Sequence, residues 1–486
     1  MLRIHLNLGT LVGLPSTSAG PSLTAVGGLS PAQAQQVLEA GYDGVQEAAP
    51  GGASRTVCEQ FETSIAGVIP ENDLRDFAYR SKDRGHLLAT VITGDGFESD
   101  DDAARIVETF LEAEAAAEFP MNLETHRGSV TQDPFRTARL LERFPELRLN
   151  GDFSHWVSAY SPMPGGIAEL SEVLGLVCSR TASLHGRMSD ASRVQLSLAD
   201  AVAVKPLFEE LWRRCLRNAA NSARPFIFAP ELLSPLAGYA PFAASDSSVA
   251  EASDRFADAS SLQLLARDLC GRRIDNKWEA LSYEPSADLN DVSLEEYRTS
   301  SRCPELKGRA RIARVDDLSG FLEGAASGDA WLVKLGSVAD DEAKVRPLLE
   351  ALLDKADACG VRVLLETSRG TVAHDPVRAQ CLTEYEPRVR FALNFGEWHF
   401  GGEFLLNPPQ AIACTRRLLP FVDAVAAVQG TAEKLRLEGP SGWNTMHHQL
   451  ARAIGAASTL GWQIMIPPVQ RKTASPKWLQ TLRAQD

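Results

Sequence analysis

Short apolar segments alternate with longer amphipathic segments along the first half of the chain. Eight apolar segments have the length and composition of β-strands: RIHLNLG (3–9), YDGVQEA (42–48), ETSIAGVI (62–69), HLLATVITG (86–94), MNLET (121–125), LRLNGDF (147–153), ASLHGR (182–187) and PFIFAPEL (225–232). Segments with helical spacing separate many of them, and the clearest are residues 30–41, 70–85, 100–119 and 205–223. Strands that alternate with helices in this way predict a (β/α)8 barrel, the TIM barrel. The main alternative, a doubly wound open sheet, usually carries a glycine-rich phosphate loop after its first strand, and this sequence shows none.

A polar stretch at residues 271–293 separates this pattern from a second, sparser one. Six more apolar segments follow, with residues 280–284 as a further candidate: residues 309–314, 330–336, 361–367, 389–395, 424–430 and 462–468. We therefore predict an α/β chain of two domains. Residues 1–272 form a TIM barrel, and residues 273–486 form a degenerate barrel-like domain, either complete or truncated.

The two halves share one motif, LETHRG at residues 123–128 and LETSRG at residues 365–370. Around this motif, residues 123–157 align with residues 365–399 without a gap, and 15 of the 35 positions are identical. Such identity over an ungapped window indicates an internal duplication of a whole domain. Because the second half has fewer strands, we expect its copy to lack the first one or two.

Composition and charge narrow the functional classes. The chain has 486 residues and a net charge of −14, and this negative charge argues against a protein that binds the phosphate backbone of nucleic acids. Its eight cysteines include no CxxC pair, which favours reduced thiols over a disulfide framework. The first residues lack a signal-peptide pattern, and no apolar run reaches the about 20 residues that span a membrane. We expect a cytoplasmic protein without a nucleic-acid or membrane partner, and a homo-oligomer remains open.

Four potential metal ligands stand at the ends of four successive predicted strands. They are Glu124, Asp152, His185 and Glu231. In an α/β barrel these positions surround one mouth, where active sites are built. A single carboxylate at a strand end is often only a helix cap or a salt-bridge partner. Four potential ligands at four successive strand ends indicate a metal site. Three carboxylates and one imidazole suit one divalent cation, and we favour Mn²⁺ over Mg²⁺, Co²⁺ and Zn²⁺.

The segments that carry these residues, LETHRG, GDFSHW, LHGR and APEL, resemble the xylose isomerase-like superfamily of sugar isomerases and epimerases. The resemblance covers most of residues 1–270. It implies that the four residues bind one divalent metal, and that Glu124 and Glu231 also move protons at the substrate carbon. The superfamily includes dehydratases, lyases and a DNA-repair endonuclease. The endonuclease needs more histidines and a basic face, whereas this chain has nine histidines and a negative charge.

The resemblance and the residue types predict a metal-dependent sugar isomerase or epimerase. A bound cation would polarise a carbonyl and acidify the neighbouring C–H, so that a glutamate removes the proton and an enediolate forms. Loss of a β-substituent from the same intermediate would make the protein a lyase or dehydratase on a keto-sugar or keto-glycoside. The alternative from another class is a carbohydrate-binding or scaffold protein without activity.

Three basic side chains near these ligands are candidates for substrate binding. His126, His155 and Arg187 each follow a proposed ligand by two or three residues. For the two histidines, an equally good interpretation is that they orient the carboxylates, and Arg187 could neutralise them. Arg127 and Trp156 have matches in the second half and are expected to be structural, although Trp156 could stack on a sugar.

The second half loses most of the metal-binding residues. Glu366 matches Glu124, but Asn394 stands at the position of Asp152. The other replacements are Ser368 for His126, Glu397 for His155, Gln429 for His185 and Pro468 for Glu231. We predict that this half does not bind a divalent metal tightly and has a structural, dimerisation or lid-like role. The alternative is a metal-free sugar site made of Glu366, Asn394, Glu397, His399 and Gln429.

Overall fold

The computed structural model describes residues 1–25, 28–49, 61–161, 166–191, 193–221, 224–234, 242–244, 249–251, 253–270, 278, 298–299, 310–315, 318, 327, 330–394, 397–398, 402, 413–415, 417–426 and 463–466. The chain divides into two compact units, Met1–Ser158 with Ile167–Tyr283 and Ala159–Gly166 with Glu284–Asp486. The predicted domain boundary at residues 272 and 273 lies outside the described residues. Over the part of the chain that the structure describes, no helix is long and apolar enough to cross a membrane.

Eight parallel strands of the first unit form a closed barrel in chain order. They are β1 (Leu2–Asn7), β2 (Gly44–Ala48), β3 (Glu62–Val68), β4 (Ala89–Ile92), β5 (Met121–Glu124), β6 (Leu149–Gly151), β7 (Thr181–Gly186) and β8 (Phe226–Pro230). Strand β1 closes the barrel by pairing with β8, with Leu2 opposite Phe226. The TIM-barrel prediction and its eight strands are confirmed, with strand ends shifted by a few residues.

The helices follow the strands and cover the barrel. They are α1 (Pro31–Glu39), α2 (Leu74–Asp83), α3 (Asp100–Ala117), α4 (Pro134–Arg143), α5 (Phe153–Tyr160), α6 (Ser171–Arg180), α7 (Lys205–Asn221) and α8 (Arg255–Cys270). Between α7 and α8, an antiparallel pair forms from β9 (Phe242–Ala244) and β10 (Val249–Glu251). Helix α1 begins at a capping box in which Ser30 and Gln33 satisfy each other's backbone N–H groups. Helix α3 also begins at a serine cap, since the Ser99 side chain accepts a hydrogen bond from Asp102 N.

Polar side chains cross the barrel interior. Asn122 of β5 donates a hydrogen bond to Ser183 of β7 over 2.8 Å, and Ser183 donates to Asn150 of β6 over 2.8 Å. Because β5 and β7 are not neighbours in the sheet, the first of these bonds runs through the interior. Each of the three residues precedes a proposed metal ligand by two positions, and strand alternation points both residues to the same face. This network therefore lies one layer beneath the proposed ligands and fixes their strands.

The second unit contains a seven-stranded sheet in the order β11-β17-β16-β15-β14-β13-β12. Its elements are β11 (Arg298–Thr299), β12 (Ala310–Val315), β13 (Ala330–Leu335), α9 (Glu342–Cys359), β14 (Arg362–Glu366), α10 (Pro376–Tyr385), β15 (Phe391–Asn394), β16 (Val422–Ala426) and β17 (Gln463–Ile466). Strands β12 to β17 are parallel and consecutive, and β11 is antiparallel to β17. The six predicted strands are present, β11 was not predicted, and residues 280–284 lie outside the described part. Among the described strands the sheet is open.

One connection has the same local structure in both units. Between β5 and α4, Gly128 adopts a positive φ of 67°, and between β14 and α10, Gly370 adopts a φ of 77°. An aspartate then caps each helix, Asp133 at α4 and Asp375 at α10. These features agree with the predicted duplication, which stays a prediction.

Candidate metal centre

The four proposed ligands stand on four neighbouring strands at the same rim of the barrel. Glu124 is the last residue of β5, Asp152 directly follows β6, His185 is the penultimate residue of β7, and Glu231 directly follows β8. One potential ligand atom from each of the four lies within 4.8 Å of the others. Parallel strands bring their carboxyl ends to one edge, so this convergence follows from the barrel topology.

The spacing around His185 fits a shared cation. Its Nδ1 is 3.0 Å from Glu231 Oε2, 3.3 Å from Glu124 Oε1 and 3.6 Å from Asp152 Oδ2. A divalent cation about 2.1 Å from each ligand separates neighbouring ligand atoms by about 3.0–3.4 Å. The distances to Glu231 and Glu124 lie in this range, and the distance to Asp152 is slightly longer.

Hydrogen bonding supports the same interpretation. Glu124 Oε2 and both ring nitrogens of His185 are buried and have no hydrogen-bond partner among the described residues. Buried polar atoms are rarely left without such a partner, because desolvation costs about 1–3 kcal/mol for each. Three carboxylates crowded in a barrel interior also repel one another. A divalent cation fits this donor set, since it could bind one ring nitrogen of His185 together with the carboxylates and would offset their negative charge.

The pKa values reflect this crowding. Burial alone would lower the pKa of His185, but the carboxylates of Glu124 and Glu231 outweigh burial and raise it well above its usual value. Burial raises the pKa of Glu124. For Asp152, burial is outweighed by Arg187 and His185, which hold its pKa well below the usual range. The pKa of Glu231 is lowered because His185 and Arg187 again outweigh burial. The two glutamates thus sit in different electrostatic environments.

Arg187 connects Asp152 to the rest of the site. Its Nη2 is 2.5 Å from Asp152 Oδ2 and 3.5 Å from Glu231 Oε2, and its side chain is 1% exposed. Its Nε donates to Ser154 Oγ over 2.9 Å, and Ser154 donates from its backbone N and its hydroxyl to Asp152 Oδ1.

Ser154 was not predicted as part of the site. Its position two residues after an aspartate is the signal that could have identified it, because such residues form Asx turns.

Asn7 holds Glu231 and was also missed. Its Nδ2 donates to Glu231 Oε1 over 3.1 Å and to Gln46 Oε1 over 2.8 Å. Thr10 fixes the backbone on both sides of Glu231: its Oγ1 donates to Pro230 O and accepts from Leu232 N. Asn7 ends β1, so a polar residue at a strand end was a usable signal. The hydrogen bond from Asn7 to Glu231 depends on closure of the barrel, because closure pairs β1 with β8.

The two predicted histidines lie side by side next to Glu124. The ring centroids of His126 and His155 are 3.7 Å apart, and Glu124 with these two residues forms a second group of potential ligand atoms within 4.8 Å. Both nitrogens of His155 face guanidinium groups, with Arg187 Nη2 2.8 Å from Nε2 and Arg127 Nε 3.3 Å from Nδ1. A cation bound to His155 would be repelled by these positive charges. The group that contains His185 is therefore the better candidate for a cation, and the metal-binding role of its four residues stays a prediction.

The matching residues of the second unit contact each other differently. Asn394 donates from Nδ2 to Glu366 Oε1 over 3.0 Å, so an amide hydrogen bond stands where two carboxylates converge in the first unit. Glu397 pairs with Arg369, whose Nε is 2.9 Å from Glu397 Oε2. His399, Gln429 and Pro468 lie outside the described residues. The roles predicted for this unit stay predictions.

Comparisons with known proteins add little beyond the fold. No family model matches the chain, and no curated protein matches it. Among solved structures, it is similar to a xylose isomerase-like TIM barrel protein from Mycobacterium smegmatis in complex with magnesium. That match covers 56% of this chain and 97% of the other chain, with 15% identity and a TM-score of 0.34. Values this low say nothing about activity, and the barrel fold is shown by the closed sheet itself.

Proposed function

We propose that this chain is a divalent-metal-dependent enzyme that isomerises or epimerises a sugar or sugar-derived substrate by removing a proton next to a carbonyl. The observation that carries this proposal is the convergence of Glu124, Asp152, Glu231 and His185 at one rim of the barrel. Mn²⁺ is the favoured ion, because mixed oxygen and nitrogen ligands suit it. When bound, the cation would polarise the substrate carbonyl and make the adjacent C–H more acidic.

Glu124 is the better candidate for the base that accepts this proton. Its Oε1 contacts His185, and its Oε2 has no hydrogen-bond partner among the described residues. Each oxygen could thus take a separate task, one toward the cation and one toward the substrate. Burial raises the pKa of the carboxyl, which makes its ionised form a stronger base.

Glu231 is suited to return the proton to the neighbouring position. Its side chain is 14% exposed, whereas those of Glu124 and Asp152 are at most 2% exposed, so it lies nearest to the solvent from which a substrate enters. Asn7 fixes its Oε1, while its Oε2 contacts His185. The two glutamates contact the same imidazole nitrogen, so both reach the same small volume.

Metal content and proton exchange test this proposal together. We expect elemental analysis of protein purified without chelator to find about one divalent ion per chain, with Mn²⁺ preferred on reconstitution. Glu124→Gln should lose this ion, and Glu366→Gln, the matched change in the second unit, should keep it. The wild type should exchange a carbon-bound proton of a sugar for deuterium in ²H₂O. A wild type that takes up no ion after reconstitution would contradict the proposal, and loss of a β-substituent would assign the same site to a lyase.

A further inference from the structure

The rim of the barrel that carries the proposed ligands has a polar side and an apolar side. The polar side consists of the ends of β5 to β8 with the four ligands, and Asn7 at the end of β1 adjoins it. The remaining strands, β2, β3 and β4, each end in an apolar residue. We call these three residues the apolar wall: Ala48, Val68 and Ile92.

Hydrogen bonding and strand pairing show that the wall faces the barrel interior. Ser64 Oγ of β3 is hydrogen-bonded to His5 Nδ1 of β1 at 2.9 Å. Because β1 and β3 are not neighbours in the sheet, this bond runs through the interior. Strand alternation turns Ala66 and Val68, two and four positions after Ser64, to the same side. Ala48 pairs with Ala66, and paired residues of neighbouring strands project from the same face.

The wall adjoins the proposed base. Val91 of β4 pairs with Leu123 of β5, so the next residues of the two strands, Ile92 and Glu124, are also neighbours. On its other side Ile92 pairs with Val68. Since neighbouring strands are about 4.8 Å apart, the wall begins one strand spacing from Glu124 and continues away from the ligands.

The wall is open to solvent, whereas the ligands beside it are not. Val68 is 49% exposed, and Ala48 and Ile92 are partly exposed. No side chain of the wall can donate or accept a hydrogen bond, so a sugar hydroxyl placed against it would lose its bonds to water without replacement. An apolar group placed there would instead remove apolar surface from water, which is favourable.

We propose that the apolar wall binds an apolar, ring-sized substituent of the substrate while the reacting carbonyl lies at the candidate metal centre. The three strands of the wall span about 10 Å from β2 to β4, which exceeds a methyl group and suits an aromatic ring. This inference rests on the proposed function for the position of the reacting group. It names the substrate class as sugar derivatives with an aromatic or comparably large apolar substituent, such as aryl glycosides.

Calorimetric titration of the full-length, Mn²⁺-loaded chain tests the wall. The probes are two pairs, phenyl with methyl β-D-glucopyranoside and phenyl with methyl β-D-galactopyranoside, and each pair differs only in its apolar substituent. We expect the phenyl glycoside to bind at least about 10-fold more tightly in at least one pair, because an aromatic ring would leave water. Equal binding within both pairs, or no binding of any probe, would overturn the proposal.

Substitutions in the wall locate the preference. Val68→Asn places a polar side chain at a half-exposed position, so it should fold and should reduce the preference for the phenyl glycoside at least several-fold. Leu264→Asn is the matched control, since Leu264 of α8 is 65% exposed and lies outside the barrel rim. It should leave the preference unchanged. Ile92→Thr, a second and more conservative variant, should also reduce the preference. A preference that survives in both wall variants would contradict the proposal.

Metal content of the same samples separates this proposal from the proposed function. If the wild type binds one ion but does not discriminate between phenyl and methyl glycosides, the wall assignment is wrong and the metal-dependent enzyme stands. If phenyl glycosides bind through Val68 in a wild-type chain that takes up no ion, the apolar subsite stands and the enzyme assignment fails.

Discussion

The turn between β5 and α4 in the first unit and the turn between β14 and α10 in the second are built alike. In both, a glutamate ends the strand, a glycine adopts a positive φ and an aspartate caps the helix. Their polar partners differ, because Asp152 and His155 are replaced by Asn394 and Glu397. In the first unit the carboxylates converge on a histidine, and in the second the side chains satisfy one another. Asn394 and Glu397 thus replace two side chains of the first turn with groups that hydrogen-bond to other residues of the second turn.

Removing one of the converging carboxylates should have the largest effect. Asp152→Asn introduces the amide found at Asn394, and it removes one negative ligand of the cation. We expect Mn²⁺ affinity to fall by more than the about 10–100-fold typical of residues that only support a ligand. Calorimetric metal titration measures this loss. The variant should fold, because an amide can donate to Glu124 as Asn394 donates to Glu366.

The reverse change is the matched control. Asn394→Asp should leave the metal stoichiometry at one ion per chain, since we expect that a cation needs all four residues of the first unit and that one added carboxylate does not replace them. A second tightly bound ion in Asn394→Asp would show that a single added carboxylate is enough to make a metal site in the second unit.

Removing the hydrogen bond between Asn7 of β1 and Glu231 should lower the affinity for Mn²⁺ by a smaller factor. Asn7→Ala removes the hydrogen bond to Glu231 Oε1 and leaves the four ligands in place. We expect the dissociation constant for Mn²⁺ to rise about 10–100-fold, as for other groups that orient a ligand. Competition with a fluorescent chelator measures this change. An unchanged affinity would show that barrel closure alone positions Glu231.

The pair of Arg369 and Glu397 should contribute to the stability of the second unit. Arg369 outweighs burial and lowers the pKa of Glu397 from 4.5 to about 2. A carboxyl whose pKa is lowered by folding adds stability above its unfolded-state pKa and loses it as the pH falls toward the folded-state pKa. We expect Glu397→Gln to cost about 1–2 kcal/mol at pH 7, a value reduced because the side chain is 25% exposed.

Urea unfolding from pH 7 to pH 2 checks this pH dependence. The difference in unfolding free energy between the wild type and Glu397→Gln should be constant above about pH 5 and shrink between pH 4.5 and 2. A difference that does not change over this range would show that Glu397 acts through packing rather than charge.

The smallest effect is expected at the matched tryptophans. Trp156 Nε1 donates to Thr131 O over 3.0 Å, and Trp398 Nε1 donates to Ala373 O over 3.2 Å. Trp156→Phe and Trp398→Phe should each lower the unfolding free energy by about 0.5–1.5 kcal/mol, because each removes one buried N–H···O hydrogen bond. Urea denaturation of the two variants measures these costs. Losses of unfolding free energy that differ several-fold between the two variants would show that the two turns differ in energy although their geometry is alike.

Much of the first unit could be predicted from the sequence. Alternation of apolar and polar residues located all eight strands. The order of strand-end residues singled out Glu124, Asp152, His185 and Glu231, which the barrel brings together, and their role as metal ligands stays a prediction. The supporting residues were harder to predict. Asn7 and Glu231 are 224 positions apart, and no local pattern relates them. Arg127 was expected to be structural because both halves carry it, and this stays a prediction.

The strands, the helix caps and the residue types at the strand ends could be predicted from the chain alone, because they depend on near neighbours in the sequence. The tertiary structure decided which atoms meet. Closure of β1 against β8 brought Asn7 to Glu231, and the neighbouring positions of β5, β6 and β7 placed His155 between Arg127 and Arg187. Such contacts depend on the tilt and register of the whole barrel, and these are properties of all eight strands together.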